Sequence, residues 1–137
     1  MGNALVPELA VTDWQASRAF YCNLIGFTVL YERPEEGFSF LTLDQAELMI
    51  DQIGLGRTFA VDGAPLERPL GRGLNLQIRV PDVRTILPRL EAAGVPLYLP
   101  LEEKWYRRDT RETGNRQFAV ADPDGYLLRL YEDLGER

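Results

Sequence analysis

The fold is decided by residues 5–27, which read LVPELAVTDWQASRAFYCNLIGF. An apolar strand is predicted over residues 5–11, and Asp13 stands where a helix N-cap is expected. Apolar side chains then recur mostly at helical spacing, and Gly26 lies where the end of a helix needs a left-handed residue. The stretch therefore predicts one strand followed by one helix.

The same order returns in residues 74–95, which read LNLQIRVPDVRTILPRLEAAGV. A strand is predicted over residues 74–80, with Asp82 as the next helix cap and Gly94 as the stop. Pro88 lies inside the apolar stripe, where the helix either starts late or kinks. Two segments that match in order indicate an internal duplication.

Three more strands are predicted after each helix, separated by turn residues. In the first half they cover residues 27–32, 38–43 and 48–53. In the second half they cover residues 96–100, 116–121 and 126–131, with a strong turn signal at residues 122–125. Two irregular stretches remain, a glycine-containing linker at residues 55–72 and a highly charged loop at residues 101–115.

The pattern predicts an α+β fold of tandem βαβββ repeats. A single domain is expected over residues 1–137, with modules at about 4–54 and 73–133 joined by the loop 55–72. A four-stranded sheet with a helix on one face leaves its other face uncovered. Two curved mixed sheets are therefore expected to enclose a cleft, lined by alternate strand residues.

The amino-acid composition excludes several classes of function. The chain of 137 residues contains no histidine, which removes the commonest general base and metal ligand and excludes Ser-His-Asp and Cys-His catalysis. A net charge of −6 disfavours binding to nucleic acid, and no apolar run approaches the roughly 20 residues that a membrane span needs. Cys22 is the only cysteine, so no internal disulfide can form; we interpret Cys22 as a packing residue and expect a reducing, cytoplasmic location.

Motifs at both ends of the chain carry a family resemblance. They are LVPEL at 5–9, VTD at 11–13, FY at 20–21, IGF at 25–27, RQFA at 116–119 and DPDGY at 122–126. With the internal repeat, they make the chain resemble the glyoxalase/bleomycin resistance protein/dioxygenase (vicinal oxygen chelate) superfamily from about residue 5 to residue 132. It is most similar to the branch of bleomycin resistance proteins, which bind their ligand without a metal.

The resemblance also implies where a metal would bind in the enzymes of this superfamily, with one ligand from each of four strands. Those positions fall on Val6, Asp51, Asn75 and Arg129. Only Asp51 is a carboxylate, and Arg129 would repel a cation or pair with Asp51. We therefore expect no metal, no other cofactor and no catalytic residue.

The antibiotic-binding branch implies a homodimer whose clefts hold a small molecule, and aromatic rings with negative charge suit a cationic, ring-bearing antibiotic. One group of antibiotic-binding members carries a tryptophan just before the last hairpin, where this chain has Gly114. Arg107, Arg108 and Arg111 would instead suit an anionic ligand. The candidate ligand-binding residues are Phe38, Phe40, Asp51, Asn75, Tyr98, Trp105, Tyr106 and Arg129.

Three hypotheses follow. The first and favoured one is a non-enzymatic dimer that sequesters an antibiotic of the bleomycin type or another aromatic ligand. The second is a divergent lyase, isomerase or dioxygenase of the same superfamily, with metal held by Asp51, Glu8 or Glu132, or with acid–base chemistry by Asp51 or Tyr98. The third is a structural or regulatory module with a vestigial cleft.

Overall fold

Two four-stranded sheets form the protein in this computed structural model, which describes residues 2–137. The first sheet contains β1 (Glu8–Val11), β2 (Thr28–Arg33), β3 (Phe38–Leu43) and β4 (Ala46–Gln52), in the order β1-β4-β3-β2. The second contains β5 (Asn75–Arg79), β6 (Leu99–Arg108), β7 (Arg111–Ala121) and β8 (Leu127–Glu136), in the order β5-β8-β7-β6. Strands β1 and β4 run parallel, as do β5 and β8, and the other pairs are antiparallel. This is the α+β fold of tandem βαβββ units predicted from the sequence, and its sheets do not close into a barrel.

Both predicted helix caps are present. The Asp13 side chain accepts a hydrogen bond from the Ala16 backbone at the start of α1 (Trp14–Ala19), and Asp82 does the same for Arg84 before α2 (Val83–Ala92). After α1 the chain continues as a π-helical segment (Phe20–Ile25), which Gly26 ends with a φ of 112°. The second helix runs through Pro88 without ending there. None of the helices formed by residues 2–137 is long and apolar enough to cross a membrane.

Alternation along each strand separates a core face from an open face. Residues such as Leu9, Leu48, Ile78 and Leu130 point toward the helices and are almost fully buried. The side chains between them point away from the helices. We call these two surfaces the first open face (Glu8, Ala10, Tyr31, Arg33, Phe38, Phe40, Met49, Asp51) and the second open face (Asn75, Gln77, Glu102, Tyr106, Asn115, Gln117, Arg129, Tyr131).

The prediction of an irregular loop at residues 101–115 was wrong. This segment is the outer part of an antiparallel hairpin between β6 and β7, which turns at Asp109 with a φ of 56°. The charged residues that disguised it pair across the strands, as Glu103 does with Arg116 at 3.0 Å. Both sides of the hairpin carry polar groups, so the apolar alternation of a half-buried strand is absent.

A linker and a turn hold the two units together. No helix or strand lies between Gln52 and Asn75, so the segment that joins the two units is irregular. The turn between β7 and β8 reaches the first unit, where the Tyr21 hydroxyl donates to the Asp122 carboxylate at 2.6 Å. Thr12 donates to Asp124 from both its backbone and its hydroxyl, at 3.1 and 2.6 Å. This turn, expected to be only a turn, therefore also anchors one unit to the other.

Candidate functional site

A ladder of three aromatic rings covers strands β2 and β3 on the first open face. Tyr31 stacks on Phe40 with ring centroids 5.2 Å apart and an interplanar angle of 17°, and its centroid lies 5.9 Å from that of Phe38. Phe38 and Phe40 are buried, whereas Tyr31 is 48% exposed. The ladder is a preformed apolar platform with one ring open to solvent, a surface suited to stacking with a planar ligand.

Local backbone structure places these rings together. Phe38 and Phe40 are two residues apart on β3, so both side chains project from the same face. The pairing of β2 with β3 shifts between Val29 and Tyr31, and this bulge turns Leu30 outward and brings Tyr31 opposite Phe40. The Arg33 guanidinium lies 4.0 Å from the centroid of the Phe38 ring and forms an ion pair with Glu36 at 3.0 Å.

Two carboxylates lie beside the ladder on the other two strands of the same face, β1 and β4. Asp51 is directly across from Phe38 on β4, and Glu8 is on the neighbouring strand β1. Asp51 is 9% exposed, yet no hydrogen bond or ion pair joins its carboxylate to another residue within 2–137. Burial raises the pKa of the Asp51 carboxyl, with Glu36 adding to the shift and Arg33 opposing it. The pKa of Glu8 is likewise raised, first by burial and then by Asp51.

The linker borders a small cavity over these carboxylates. Its volume is about 140 Å³, and it is lined by Glu8, Ala10, Asp51, Arg57, Thr58, Phe59, Leu66 and Tyr126. Gly56 passes so close to Asp51 that a Cβ atom at this position would lie 2.7 Å from the Asp51 Oδ1 atom. The first open face thus combines an apolar platform with an adjoining acidic cavity.

The second open face carries polar side chains that bond to one another. The Gln117 amide nitrogen donates to Glu102 and to the Tyr106 hydroxyl, each at 2.8 Å, although Gln117 is 1% exposed. Arg129 donates to the same hydroxyl at 3.3 Å, and Asn115 donates to the Gln117 carbonyl at 3.3 Å. Each side chain fixes its neighbour, so this face is a rigid hydrogen-bonding wall.

A groove runs along this wall. A cavity of about 360 Å³ is lined by Gln77, Tyr106, Thr113, Asn115, Arg129, Tyr131 and Asp133. A second cavity, of about 560 Å³, shares Gln77 and Tyr131 with it and extends to Asp44 and Gln45 of the first unit. Together these cavities provide length for an extended ligand.

The structure brings six of the eight sequence-predicted residues to the open faces. Phe38, Phe40 and Asp51 lie on the first face, and Asn75, Tyr106 and Arg129 lie on the second. Their assignment as ligand-binding residues stays a prediction. A pair between Asp51 and Arg129, one of the two alternatives that the sequence left open, is absent: each residue belongs to a different sheet, and Arg129 bonds to Tyr106.

The other two predicted residues lie apart from these clusters. Trp105 projects from the opposite side of β6 from Tyr106, where its ring covers Gly114 and lies 4.2 Å below the Arg137 guanidinium. Gly114 is required there, since a Cβ atom would approach the ring to 2.6 Å. Tyr98 is 74% exposed and precedes β6.

Sequence reasoning missed several residues of both faces. Tyr31 was hidden because the bulge breaks the alternation of β2. Asn115 and Gln117 did carry a signal, namely polar residues two apart beside the apolar run Phe118–Val120 in a strand that is otherwise buried. Glu102 could be placed only through its long-range pairing with Gln117.

The metal-ligand positions of the superfamily do not fit a metal in this chain. Val6 offers no donor, Asn75 only an amide, and the Arg129 guanidinium is a cation held by Tyr106. No group of three or more His, Cys, Asp or Glu side chains within the described part of the chain could hold a metal ion.

The fold and the site together define an α+β protein of two βαβββ units, with cavities along the open faces of its sheets. A family model of the Glyoxalase/Bleomycin resistance protein/Dioxygenase superfamily matches residues 4–130. The chain belongs to this superfamily, as its motifs predicted.

Relatives and solved structures resemble this chain over almost its whole length. A bleomycin resistance protein of Geobacillus stearothermophilus is 24% identical over 136 residues, covering 94% of this chain and 96% of the relative. The crystal structure of TioX from Micromonospora sp. ML1 is 26% identical, with a TM-score of 0.73 over 97% of this chain and 100% of that one. TnmS3, an antibiotic binding protein from Streptomyces sp. CB03234, shares the fold at 21% identity, with a TM-score of 0.64 over 97% of both chains.

Proposed function

We propose that this protein is a non-enzymatic binding protein that sequesters an aromatic small molecule, with antibiotics of the bleomycin type as the leading ligand class. The aromatic ladder carries the proposal, because stacked rings that end in a half-exposed Tyr31 are a ready surface for a planar ligand. The similarity to a protein named for bleomycin resistance supports the choice of ligand class.

The proposed binding unit is a homodimer. In one chain, the cavity beside the ladder and the groove on the polar wall are lined by separate sets of residues. If the first open face of one chain met the second open face of its partner, a ligand would lie between rings on one side and hydrogen-bonding groups on the other. Such a cleft would bury far more of a drug-sized ligand than either face alone.

Sequestration would act through mass action alone. Each binding event removes one free ligand molecule without forming or breaking a covalent bond, so tight binding and abundance replace catalysis. The polar wall suits this role, since Gln117 and Arg129 are held in place before a ligand arrives.

Calorimetric titration with metal-free bleomycin and with copper-bleomycin tests the proposal. Trp14 offers a parallel fluorescence signal, because its indole nitrogen donates to Ser39, which lies between Phe38 and Phe40 on β3. We expect saturation near one ligand per chain, a dimer by light scattering, and bleomycin recovered chemically unchanged. Absence of saturation at micromolar concentrations would refute the bleomycin assignment, and a modified product would favour the enzyme hypothesis.

A matched pair of variants locates the site. Tyr31→Ala removes the exposed ring of the ladder and should weaken binding about tenfold, the scale of one aromatic stacking contact. Leu30→Ala is the control, since Leu30 is its neighbour on the same strand, is 59% exposed and lies off the ladder. Equal losses in both variants would show that the ladder is not the platform.

A further inference from the structure

The cavity beside the aromatic ladder contains an acidic side chain without a partner. Asp51 is 9% exposed, lines this cavity of about 140 Å³, and makes no hydrogen bond or ion pair with any described residue. The Asp51 carboxylate oxygens keep only limited contact with solvent, so a donor or a counter-ion in the cavity would stabilise the charge. Glu8 lines the same cavity, so the acidic charge there is double.

The cations of the chain nearest to this cavity are engaged elsewhere. Arg33 forms an ion pair with Glu36 and covers the Phe38 ring. Arg57 itself lines the cavity, and its guanidinium lies 5.4 Å from the centroid of the Phe59 ring. Neither guanidinium forms an ion pair with Asp51 or Glu8 in the region covered by residues 2–137. The two carboxylates therefore leave room for a positive charge from outside the chain.

The dimensions and the donors favour an organic cation over a metal ion. A water molecule takes up about 30 Å³ in the liquid, so the cavity can hold a group of a few heavy atoms, such as an alkylammonium or an amidinium. Two carboxylates fall short of the six to eight oxygen ligands that Ca²⁺ takes, and the lining adds apolar groups such as Phe59 and Leu66. Apolar walls around a carboxylate suit the carbon chain and charged tip of an amine.

We infer that Asp51 and Glu8 form a subsite for the ammonium or amidinium group of an aromatic amine whose ring lies on the adjoining ladder. Asp51 is paired with Phe38 on the neighbouring strand, so ring and charge would be separated by about one or two strand spacings of 4.7–4.9 Å. The inference rests on the proposed function and names the ligand class of that same site.

Two probes of the same shape isolate the charge. The first is 4-phenylbutylamine, which is cationic at neutral pH, and the second is 4-phenylbutan-1-ol, which is neutral. Ligand-observed NMR titration should show at least tenfold tighter binding of the amine. Both probes should lose affinity in Tyr31→Ala if their ring lies on the ladder.

Variants of the two carboxylates then show which of them is responsible for the preference for the amine. Asp51→Asn keeps the shape of the side chain and should reduce the amine to the affinity of the alcohol while leaving the alcohol unchanged. Glu8 is exposed, so we expect Glu8→Gln to keep the fold and to weaken binding of the amine two- to fivefold. Glu35→Gln removes one exposed charge away from the cavity and is the control for net charge.

Failure of this inference differs from failure of the proposed function. Equal affinities of the two probes, both sensitive to Tyr31→Ala, would overturn the subsite and leave the aromatic platform in place. Absence of binding by either probe at millimolar concentrations would also overturn it, while the bleomycin titration judges the function separately. Displacement of the amine by stoichiometric Ca²⁺ would also overturn the inference, because it would show that the carboxylates bind a metal ion.

Discussion

The two open faces lie on equivalent strands of the duplicated units, but their polar side chains differ in whether they have hydrogen-bond partners. On β3, Phe38 and Phe40 join a ladder that leaves Tyr31 exposed, and nearby Asp51 lacks a partner among the described residues. On β7, the strand equivalent to β3, Asn115 and Gln117 are bonded to the side chains around them. A face with unmet contacts gains most from a ligand, whereas a face with internal partners gains less and serves to orient it.

The turns that follow these strands show the same asymmetry. The turn between β7 and β8 reaches the first unit through Asp122, which is 5% exposed and bonded to Tyr21. The turn between β3 and β4 contains Asp44, which has a φ of 52° and whose carboxylate makes no hydrogen bond to the rest of residues 2–137. Duplication supplied both turns, but only the second became an anchor.

Removing this anchor should have the largest effect on stability. Asp122→Ala deletes the acceptor for the buried Tyr21 hydroxyl and for the backbone N–H groups of Asp124 and Tyr126. Because these donors are left unsatisfied, we expect the free energy of unfolding to fall by about 3–5 kcal/mol. Urea denaturation followed by circular dichroism measures the loss.

The equivalent turn provides the control. Asp44→Gly suits the positive φ at this position and should change stability by less than about 1 kcal/mol. Comparable losses in Asp122→Ala and Asp44→Gly would remove the claimed asymmetry between the turns.

Local signals were sufficient to predict the fold. Asp13 and Asp82 cap the helices as expected, and the strand predicted over residues 38–43 matches the bounds of β3. The outer part of the β6–β7 hairpin was missed because its stabilising pairs, such as Glu103 with Arg116, become visible only once the strands are aligned. The π-helical segment was not predicted, because its apolar residues fit the spacing of an ordinary α-helix.

The site was predicted only in part, because some of its contacts depend on long-range pairing. The family resemblance implied Asp51 as a metal-ligand position, and Phe38 was named as an aromatic residue on a predicted strand; the register places the two opposite each other. The sequence left open whether Asp51 pairs with Arg129, because that contact depends on how the two sheets are arranged, which a single sequence does not specify. Trp105 was read as a loop residue, whereas strand alternation sends it to the side opposite Tyr106.

Trp105 and Tyr106 therefore offer a test of intermediate size. Trp105→Ala removes a half-buried ring that packs on Gly114 beneath Arg137, and should lower stability by about 1–2 kcal/mol without changing the affinity for bleomycin. Tyr106→Phe removes the hydroxyl that accepts from Gln117 and Arg129, and should weaken bleomycin binding severalfold. Calorimetry and thermal melts on both variants separate the two effects; loss of binding in Trp105→Ala would place the outer hairpin in the site.

The smallest expected effect concerns the unpaired charge on the first open face. The pKa of Asp51 is raised in the folded protein, so the folded state binds this proton more tightly than the unfolded chain does. Ionised Asp51 therefore lowers stability above its raised pKa, and the penalty fades as pH falls toward the ordinary carboxyl range. We expect Asp51→Asn to stabilise the unliganded protein at neutral pH by about 0.5–1 kcal/mol, with the gain disappearing in acid. Melting temperatures between pH 4 and pH 8 measure it.

Glu32, on the other side of the same sheet, should show the opposite sign. Hydrogen bonds from Arg18 and Ser39 hold the pKa of the Glu32 carboxyl below its usual range, so its contribution is present above the unfolded pKa and is lost as pH falls through the folded pKa. Glu32→Gln should thus destabilise the protein at neutral pH, by less than about 1 kcal/mol since the Arg18 side chain is 40% exposed and the pair is screened by solvent. Opposite pH trends in the two variants would show that one sheet holds a hydrogen-bonded carboxylate on its helix side and a carboxylate without a partner on its open face. A parallel trend would mean that Asp51 has found a partner in solution, and the first open face would then lose the feature that distinguishes it from the second.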